Sequence, residues 1–259
     1  MNIDVDCGIV SNDMDHLPVA LASLSLQSVL PSRLHVLIDA SEKEQETTPI
    51  LEKLLFRLGN CGVTCNICIE RDLHGIPALR GRVETACRGP YIWWIDDDVV
   101  VEPDCLAKLN LSAELNPEAS FIQGSKLSID ATEGYNMLRH NSVDDVRGTP
   151  FVTYPTGDDV PIYIADTANV LFSTEILSRT GGFSRLADAG YRERGSDWVV
   201  GALCANVCQA FLNPAARVHH LGKVNSAGKR FESTRYSVLS YLDGSVSPEV
   251  LEHVRLTRY

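Results

Sequence analysis

The sequence predicts an α/β protein with a mostly parallel central sheet flanked by helices. Short apolar runs of strand length alternate with longer segments of helical periodicity through the first 115 residues. This alternation is typical of parallel sheets, because a crossover, usually a helix, must connect each parallel strand to the next. Proline and glycine residues separate the segments, as expected at helix ends.

The predicted elements follow one another closely in the first part of the chain. Strands are predicted at residues 3–10, 34–38, 63–69, 91–95 and 121–129, and helices at residues 17–30, 49–58, 77–87 and 103–115. Pro31 is expected to end the first helix, and Gly59 with Asn60 the second. Pro103 and Asp104 suit the first turn of the fourth helix, where acidic side chains face the positive end of the dipole.

Beyond residue 129 the pattern weakens. Residues 130–160 are polar and rich in glycine and proline, so we expect long loops there, which in a compact domain are often functional. Strand-like runs return at 162–164 and 169–172, with helices near 174–180 and 197–206. The tail from residue 227 is polar, with a last helix predicted from Pro248.

Composition and charge exclude several classes of protein. The chain has 259 residues, of which 44% are hydrophobic, so it can bury a sizeable core. Lys and Arg total 23 against 34 Asp and Glu, and this net charge of −11 argues against a nucleic-acid binder. No apolar run approaches the roughly 20 residues that cross a bilayer. The first six residues lack the basic charge of a secretion signal, so we expect a cytoplasmic protein without a transmembrane segment.

The eight cysteines are expected to be reduced thiols. Cys61, Cys65 and Cys68 are close enough in sequence to suggest zinc, but Cys65 and Cys68 would face opposite sides of a strand and no fourth ligand is near. We therefore expect buried thiols at these positions, and core packing for Cys204 and Cys208.

An acidic cluster gives the strongest chemical signal. Asp96, Asp97 and Asp98 directly follow the apolar strand at 91–95. Ligands of open α/β sheets bind beyond the carboxyl ends of strands, and adjacent carboxylates repel unless a cation neutralises them. Oxygen ligands select Mg²⁺ or Mn²⁺, and strand alternation puts Asp96 and Asp98 on one side and Asp97 on the other. A solvated turn is the alternative.

Two further aspartates and one of two adjacent histidines could join this cluster. Asp39 follows the strand at 34–38 and could accept a hydrogen bond from a nucleobase or a ribose, or simply cap a turn. Asp197 lies at the start of a helix and could be a general base or a first-turn acid. His219 and His220 end a strand-like run, so one of them could face the same edge and complete a mixed metal site.

Basic residues near these positions could bind a diphosphate. Arg80 lies in the helix before the acidic strand. Four more basic residues follow the histidines, namely Lys223, Lys229, Arg230 and Arg235. A solvated loop is the competing interpretation of this basic run.

Together and in this order, these segments resemble the GT-A glycosyltransferases, specifically family 2. Residues 7–41 resemble that family's opening strand–helix–strand with its Asp-x-Ser element, and residues 79–109 its helix–strand–DxD–Pro-Asp stretch. Residues 165–222 resemble its acceptor-side half, with Ala168-Asn169-Val170-Leu171-Phe172, Gly181-Gly182-Phe183, Gly195-Ser196-Asp197-Trp198 and the Val-His-His ending at His220.

The resemblance implies roles for particular residues. Asp98 would be the direct metal ligand, and His220, rather than His219, the further one. Asp197 would be the catalytic base, and Asp96 would approach the ribose or the metal. The remaining residues implied to contact the nucleotide are Ser11, Asp39, Arg80 and Asp97.

The implied activity is metal-dependent transfer of a sugar from a nucleotide-sugar donor, best guessed as a UDP-sugar, to an unknown hydroxyl acceptor, with inversion at C1. Residues 1–116 would bind the nucleotide sugar, residues 117–226 would form the acceptor and catalytic half, and residues 227–259 a tail, all in one fused domain. The sequence departs from the family pattern at Val10-Ser11-Asn12, at Gly81 and at Ser196, which replaces an acid.

Other classes of function stay open. A non-catalytic nucleotide-sugar or carbohydrate-binding protein would bind without turnover. A sugar-1-phosphate nucleotidyltransferase would need a glycine-rich loop after the first strand, and residues 8–13 do not supply one. No G-x-G-x-x-G follows that strand, which disfavours a dinucleotide-dependent oxidoreductase.

Overall fold

The computed structural model describes residues 3–12, 14–40, 47–72, 75–128, 160–191, 195–221 and 228–256, and these form a mixed sheet flanked by helices, which confirms the α/β class. The strands are β1 Val5–Ser11, β2 Arg33–Asp39, β3 Thr64–Glu70, β4 Tyr91–Ile95, β5 Val99–Val101, β6 Phe121–Ser128, β7 Val160–Ile162, β8 Asn169–Ser173 and β9 Ala210–His220. The helices are α1 Leu17–Leu24, α2 Pro49–Asn60, α3 Ile76–Ala86, α4 Cys105–Leu115, α5 Thr174–Thr180, α6 Gly182–Asp188, α7 Ser196–Ala205, α8 Gly228–Leu242 and α9 Pro248–Leu256.

The order of the strands brings several strand ends to one edge. The order is β3-β2-β1-β4-β8-β6-β9-β5, with β7 also paired to β9. Strands β1 to β4 pair in parallel, whereas β8 runs antiparallel to both β4 and β6, and β6 is parallel to β9. The carboxyl ends of β2, β4 and β9 and the amino end of β8 therefore lie on the same edge, which we call the rim.

Buried polar side chains tie the two halves of the sheet together. Asn169 at the start of β8 is fully buried. Its Oδ1 accepts a hydrogen bond from Trp93 Nε1 at 3.0 Å, and its Nδ2 donates to the carbonyl oxygen of Ala216 at 3.0 Å. Because a buried amide that lost these partners would be costly, Asn169 links β8 both to its neighbour β4 and, across β6, to β9.

A second buried network lies at the opposite end of the strands. Asp6 in β1 accepts hydrogen bonds from Arg33 Nε at 2.8 Å, His35 Nε2 at 2.7 Å and the backbone N–H groups of Arg88 and Gly89. Burial opposes ionisation of Asp6, but these bonds outweigh it and hold its pKa below the ordinary value. The carboxylate thus joins β1, β2 and the segment that enters β4.

Most predicted elements have their expected positions, and five differ. The strand predicted at 162–164 is β7, Val160–Ile162, whose bounds are set by its pairing with β9. Helix α1 ends at Leu24, well before Pro31, because a turn follows directly. The short strand β5 was not predicted, and it forms only by pairing with the end of β9. Helices α6 and α8 were also missed, since α6 begins at two positive-φ glycines and α8 has a polar sequence. The loops predicted at 130–160 lie outside the described residues, apart from Val160, which begins β7.

The cysteine expectation was wrong for two positions. All eight cysteines are free thiols, but Cys61 and Cys68 are exposed and Cys65 is partly buried. Cys68 is exposed because β3 is at the edge of the sheet and turns most of its side chains to solvent, and Cys61 is exposed at the end of α2. Cys204 is buried as expected, and Cys208 partly so.

Within the part of the chain that the structure describes, none of the helices combines the length and apolar character needed to span a lipid bilayer.

Candidate functional site

The three aspartates that follow β4 point to different partners at the rim. Ser11 Oγ, at the end of β1, donates a hydrogen bond to Asp97 Oδ2 at 2.5 Å. Asp96 faces Arg80, and Asp98 faces His220. Asp96 and Asp98 therefore share one group and Asp97 has a separate partner, although Asp97 and Asp98 lie in a turn and not in an extended segment.

Asp96, Asp98 and His220 form a group that could hold a metal ion. One ligand atom from each lies within 4.8 Å of the others, and His220 Nε2 is 3.2 Å from Asp98 Oδ1. Pairing of Val99 with His220 in the β5–β9 ladder brings the histidine to this position. His219 faces the other way and lies 3.3 Å from Glu102 Oε1. Two carboxylates and an imidazole suit a divalent ion such as Mn²⁺.

Asp6, His35 and Cys87 form a second group with metal-ligand spacing. Arg33 already neutralises Asp6 and occupies both carboxylate oxygens, at 2.8 and 3.2 Å. A divalent ion would have to displace that arginine, so we regard this group as part of the structural network.

Arg80 connects the acidic segment with the start of α7. Its side chain is 12% exposed. The guanidinium donates to Thr167 Oγ1 at 2.5 Å and to Ser196 Oγ at 3.4 Å, and it lies 3.6 Å from Asp96 Oδ1. One fixed cation thus joins three segments that are far apart in sequence.

Asp197 lies in the first turn of α7, next to Ser196. Burial raises its pKa to about 6, with the neighbouring charges of Asp166 and Asp96 acting in the same direction and Arg80 opposing them. A carboxylate with such a pKa is mostly ionised at neutral pH, yet is a stronger base than an ordinary aspartate, which suits general-base chemistry.

A buried ion pair that the sequence did not indicate lies beside these groups. Lys126 Nζ in β6 is 2.5 Å from Asp166 Oδ2, and the two side chains are only 16% and 7% exposed. Gln123 fixes the backbone of Asp166, since its Oε1 accepts the Asp166 N–H at 2.7 Å and its Nε2 donates to the Asp166 carbonyl oxygen at 3.2 Å. Periodicity gives no sign of a contact made across more than 40 residues.

Among the side chains that the structure describes, the site carries more negative than positive groups. Asp96, Asp98, Asp166 and Asp197 share this region with the cations Arg80 and Lys126. Burial raises the pKa of Asp96, and the charge of Asp166 raises it further. Four carboxylates against two cations leave an excess of negative charge that a divalent ion would neutralise.

Of the remaining predicted site residues, Asp39 lies at the rim, and the four basic residues that follow the histidines have no described side chains. Asp39 is partly buried and ends β2 at the rim, one strand away from Ser11 in the β1–β2 register. Lys223 lies outside the described residues. Lys229, Arg230 and Arg235 belong to the backbone of α8, but their side chains are not among those described.

Similar folds occur in solved glycosyltransferase structures. The first is the mannosyltransferase PcManGT from Pyrobaculum calidifontis in complex with GDP-Man and Mn²⁺, with TM-score 0.67, 14% identity and coverage of 97% of this chain and 68% of that one. TarS from S. aureus gives TM-score 0.62 and 11% identity, and the match covers 96% of this chain and 41% of that one. GalNAc-T7 with UDP, GalNAc and Mn²⁺ gives TM-score 0.65 and 12% identity, and the match covers 86% of this chain and 44% of that one. The chain thus spans less than half of the last two proteins.

The fold and the acidic rim define a GT-A glycosyltransferase, which confirms the predicted fold and class of enzyme. The model of glycosyl transferase family 2 matches residues 10–180, and the chain belongs to that family. No curated protein matches the sequence. The matched range includes Ser11, Asp39, Arg80 and the three aspartates, whereas Asp197 and His220 lie beyond it.

Proposed function

We propose that the protein transfers a sugar from a nucleotide-diphosphate donor, a UDP-sugar, to an acceptor hydroxyl, with a divalent ion and with inversion at C1. The observation that carries the proposal is the grouping of Asp96, Asp98 and His220 at the rim, joined through Arg80 to the start of α7. Two of the similar structures contain Mn²⁺, one with GDP-Man and one with UDP, which supports a nucleotide-sugar donor.

The identity of the donor's nucleotide can be tested separately from the transfer reaction. UDP is the expected nucleotide, with Asp39 accepting a hydrogen bond from the base or the ribose and Ser11 and Asp97 lining the same place. GDP-mannose is the alternative donor, because the similar mannosyltransferase structure contains it. Residues 1–116 would bind the nucleotide sugar, residues 117–226 would supply the acceptor and catalytic half, and residues 227–259 would form the tail.

The ligand set fits a divalent ion held by Asp98 and His220, with Asp96 nearby. Such an ion supplies positive charge that offsets the charge on a departing diphosphate. Arg80, fixed by Thr167 and Ser196, adds a cation on the same side. Asp197 would take the proton from the acceptor hydroxyl, and its raised pKa strengthens it as a base. Attack from the side opposite the departing group gives inversion.

The test is a screen of nucleotide sugars with the purified chain. UDP-glucose, UDP-galactose, UDP-N-acetylglucosamine and GDP-mannose are supplied with Mn²⁺ or Mg²⁺, and nucleoside diphosphate release and calorimetric binding are measured. Asp98→Asn should abolish metal-dependent binding and release, whereas Asp243→Asn, an exposed aspartate far along the chain from the cluster, should not. If no nucleotide sugar binds and Asp98→Asn changes nothing, the proposal is wrong.

Asp197→Asn separates an enzyme from a binding module. The proposal expects this variant to bind the nucleotide sugar but to lose at least about a hundredfold in turnover, the scale of a lost general base. A carbohydrate-binding module predicts binding with no turnover even in the wild type. Formation of a nucleotide sugar from a nucleoside triphosphate and a sugar 1-phosphate would instead indicate a nucleotidyltransferase.

A further inference from the structure

The contact between α3 and α6 gives a role to the Gly181-Gly182-Phe183 segment. Gly182 has φ +50°, and a Cβ there would lie 2.6 and 2.7 Å from the two carboxyl oxygens of Glu84. A Cβ on Gly81 would lie 3.0 Å from the Cα of Ser184. The two helices thus approach so closely that only glycine fits at these positions.

Glu84 of α3 binds the first turn of α6. Its Oε2 accepts the backbone N–H of Phe183 at 3.0 Å, and the N–H of Ser184 also donates to the carboxyl group. Its Oε1 is buried and has no hydrogen-bond partner among the described residues. A buried polar group with one oxygen unsatisfied is unusual and calls for an explanation beyond packing.

The bond from Glu84 fixes Phe183, and Phe183 contacts Arg80. The phenyl ring is fully buried and meets the Trp94 ring edge-on, with centroids 5.7 Å apart. Arg80 Cζ lies 5.3 Å from the centre of the Phe183 ring, within the range of a cation–π contact. Glu84 and Arg80 are four residues apart on α3 and therefore lie on the same face of the helix.

We propose that Glu84 is a positioning residue that holds Phe183 beneath Arg80 and so sets where the Arg80 guanidinium lies in the site. The guanidinium contacts the ring and is also held by Thr167, Ser196 and Asp96. Glu84 itself does not touch the reacting groups. The proposal rests on the proposed function, in which Arg80 binds the nucleotide diphosphate.

A double-mutant cycle between Glu84 and Arg80 tests this positioning. Binding of UDP or GDP with Mn²⁺ is measured by calorimetry for the wild type, Glu84→Leu, Arg80→Ala and the double variant. Glu84→Leu should weaken binding about fivefold to tenfold, and Glu84→Gln, which keeps the acceptor for Phe183, should restore most of the loss. In the Arg80→Ala background, Glu84→Leu should have no further effect, because its effect passes through Arg80.

A readout that needs no nucleotide separates this inference from the proposed function. The side-chain N–H signals of ¹⁵N-labelled Arg80, assigned with Arg80→Lys, should carry a ring-current displacement from Phe183. Glu84→Leu should reduce that displacement and Glu84→Gln should keep it. Phe183→Leu, which keeps the Glu84 bond but removes the ring, should also abolish it and so assigns the displacement to Phe183. If Glu84→Leu does not fold, Glu84→Ala takes its place in both measurements.

The outcomes have distinct meanings. The positioning role is overturned if the wild-type Arg80 signal shows no ring-current displacement, or if Glu84→Leu leaves that displacement unchanged. Additive effects of the two substitutions on nucleotide binding also overturn it. If Arg80 responds as expected but no nucleotide binds the wild type, the positioning role stands and the proposed function fails.

Discussion

Replacement of Glu84 by glutamine should stabilise the protein increasingly as the pH rises. Burial raises the pKa of Glu84 from an ordinary value of 4.5 to about 8, although the N–H groups of Phe183 and Ser184 and the charge of Arg80 oppose the rise. The folded state therefore holds a proton that the unfolded chain gives up above pH 4.5, and the wild type loses stability as the pH rises through about 8. Because a tenfold difference in proton affinity corresponds to about 1.4 kcal/mol, this loss is about 3 kcal/mol at pH 7 and has a ceiling of about 5 kcal/mol.

Glutamine cannot ionise, so Glu84→Gln avoids this loss. The amide oxygen can still accept the Phe183 N–H, and its NH₂ group replaces an acid hydroxyl that lacks a partner among the described residues. The free energies of unfolding of the two proteins should therefore be closest near pH 5, diverge up to about pH 8 and differ by a constant amount above it.

Urea unfolding at a series of pH values from 5 to 9 measures this divergence. Glu175→Gln is the matched control, because that glutamate is 80% exposed and should give the same pH dependence as the wild type. Parallel curves for the wild type and Glu84→Gln would refute the reasoning, since they would mean that Glu84 titrates alike in the folded and unfolded chain.

Three further predictions concern the rim and the sheet. His220→Gln should weaken Mn²⁺ binding, measured by electron paramagnetic resonance, at least about tenfold. His219 faces Glu102, so His219→Gln should leave Mn²⁺ binding unchanged, and equal losses would contradict the assignment of His220. If Asp197 is the base, the rate of transfer should fall about tenfold for each pH unit below its pKa of about 6, and a flat rate between pH 5 and 8 would exclude it. Asp6→Ala should lower the free energy of unfolding by about 3–5 kcal/mol in urea, because it leaves Arg33 and His35 without their buried partner, and a loss under about 1 kcal/mol would disprove that role.

The parallel first half of the fold could be predicted from sequence because local signals govern it. Strand β4 has its predicted bounds, and Asp96 and Asp98 group together after it, although a turn and not strand alternation places them. Pairing of β5 with β9 then brings His220 beside Asp98. The choice between His219 and His220 needed the resemblance, because periodicity alone makes the two equivalent.

The parts that could not be predicted depend on contacts between distant residues. Helix α6 begins at two glycines that, taken locally, indicate a turn, and the carboxyl group of Glu84 on another helix satisfies its first N–H groups. Asp166 gives no signal in the sequence, since Gln123 and Lys126 on a different strand fix its position. Neither hydrophobic periodicity nor turn chemistry carries information about such pairs.

If the proposed function is right, the charge of the rim couples binding of the metal ion to binding of the sugar donor. Among the described side chains, Asp96, Asp98, Asp166 and Asp197, when ionised, outnumber the cations Arg80 and Lys126, and a diphosphate is itself an anion. The nucleotide alone would therefore meet repulsion in a region of low dielectric, where unpaired charges are costly. A divalent ion beside Asp98 reverses the sign of that interaction, so binding of the ion and binding of the diphosphate each strengthen the other. The ion pair between Lys126 and Asp166 already neutralises one of these carboxylates before either ligand binds.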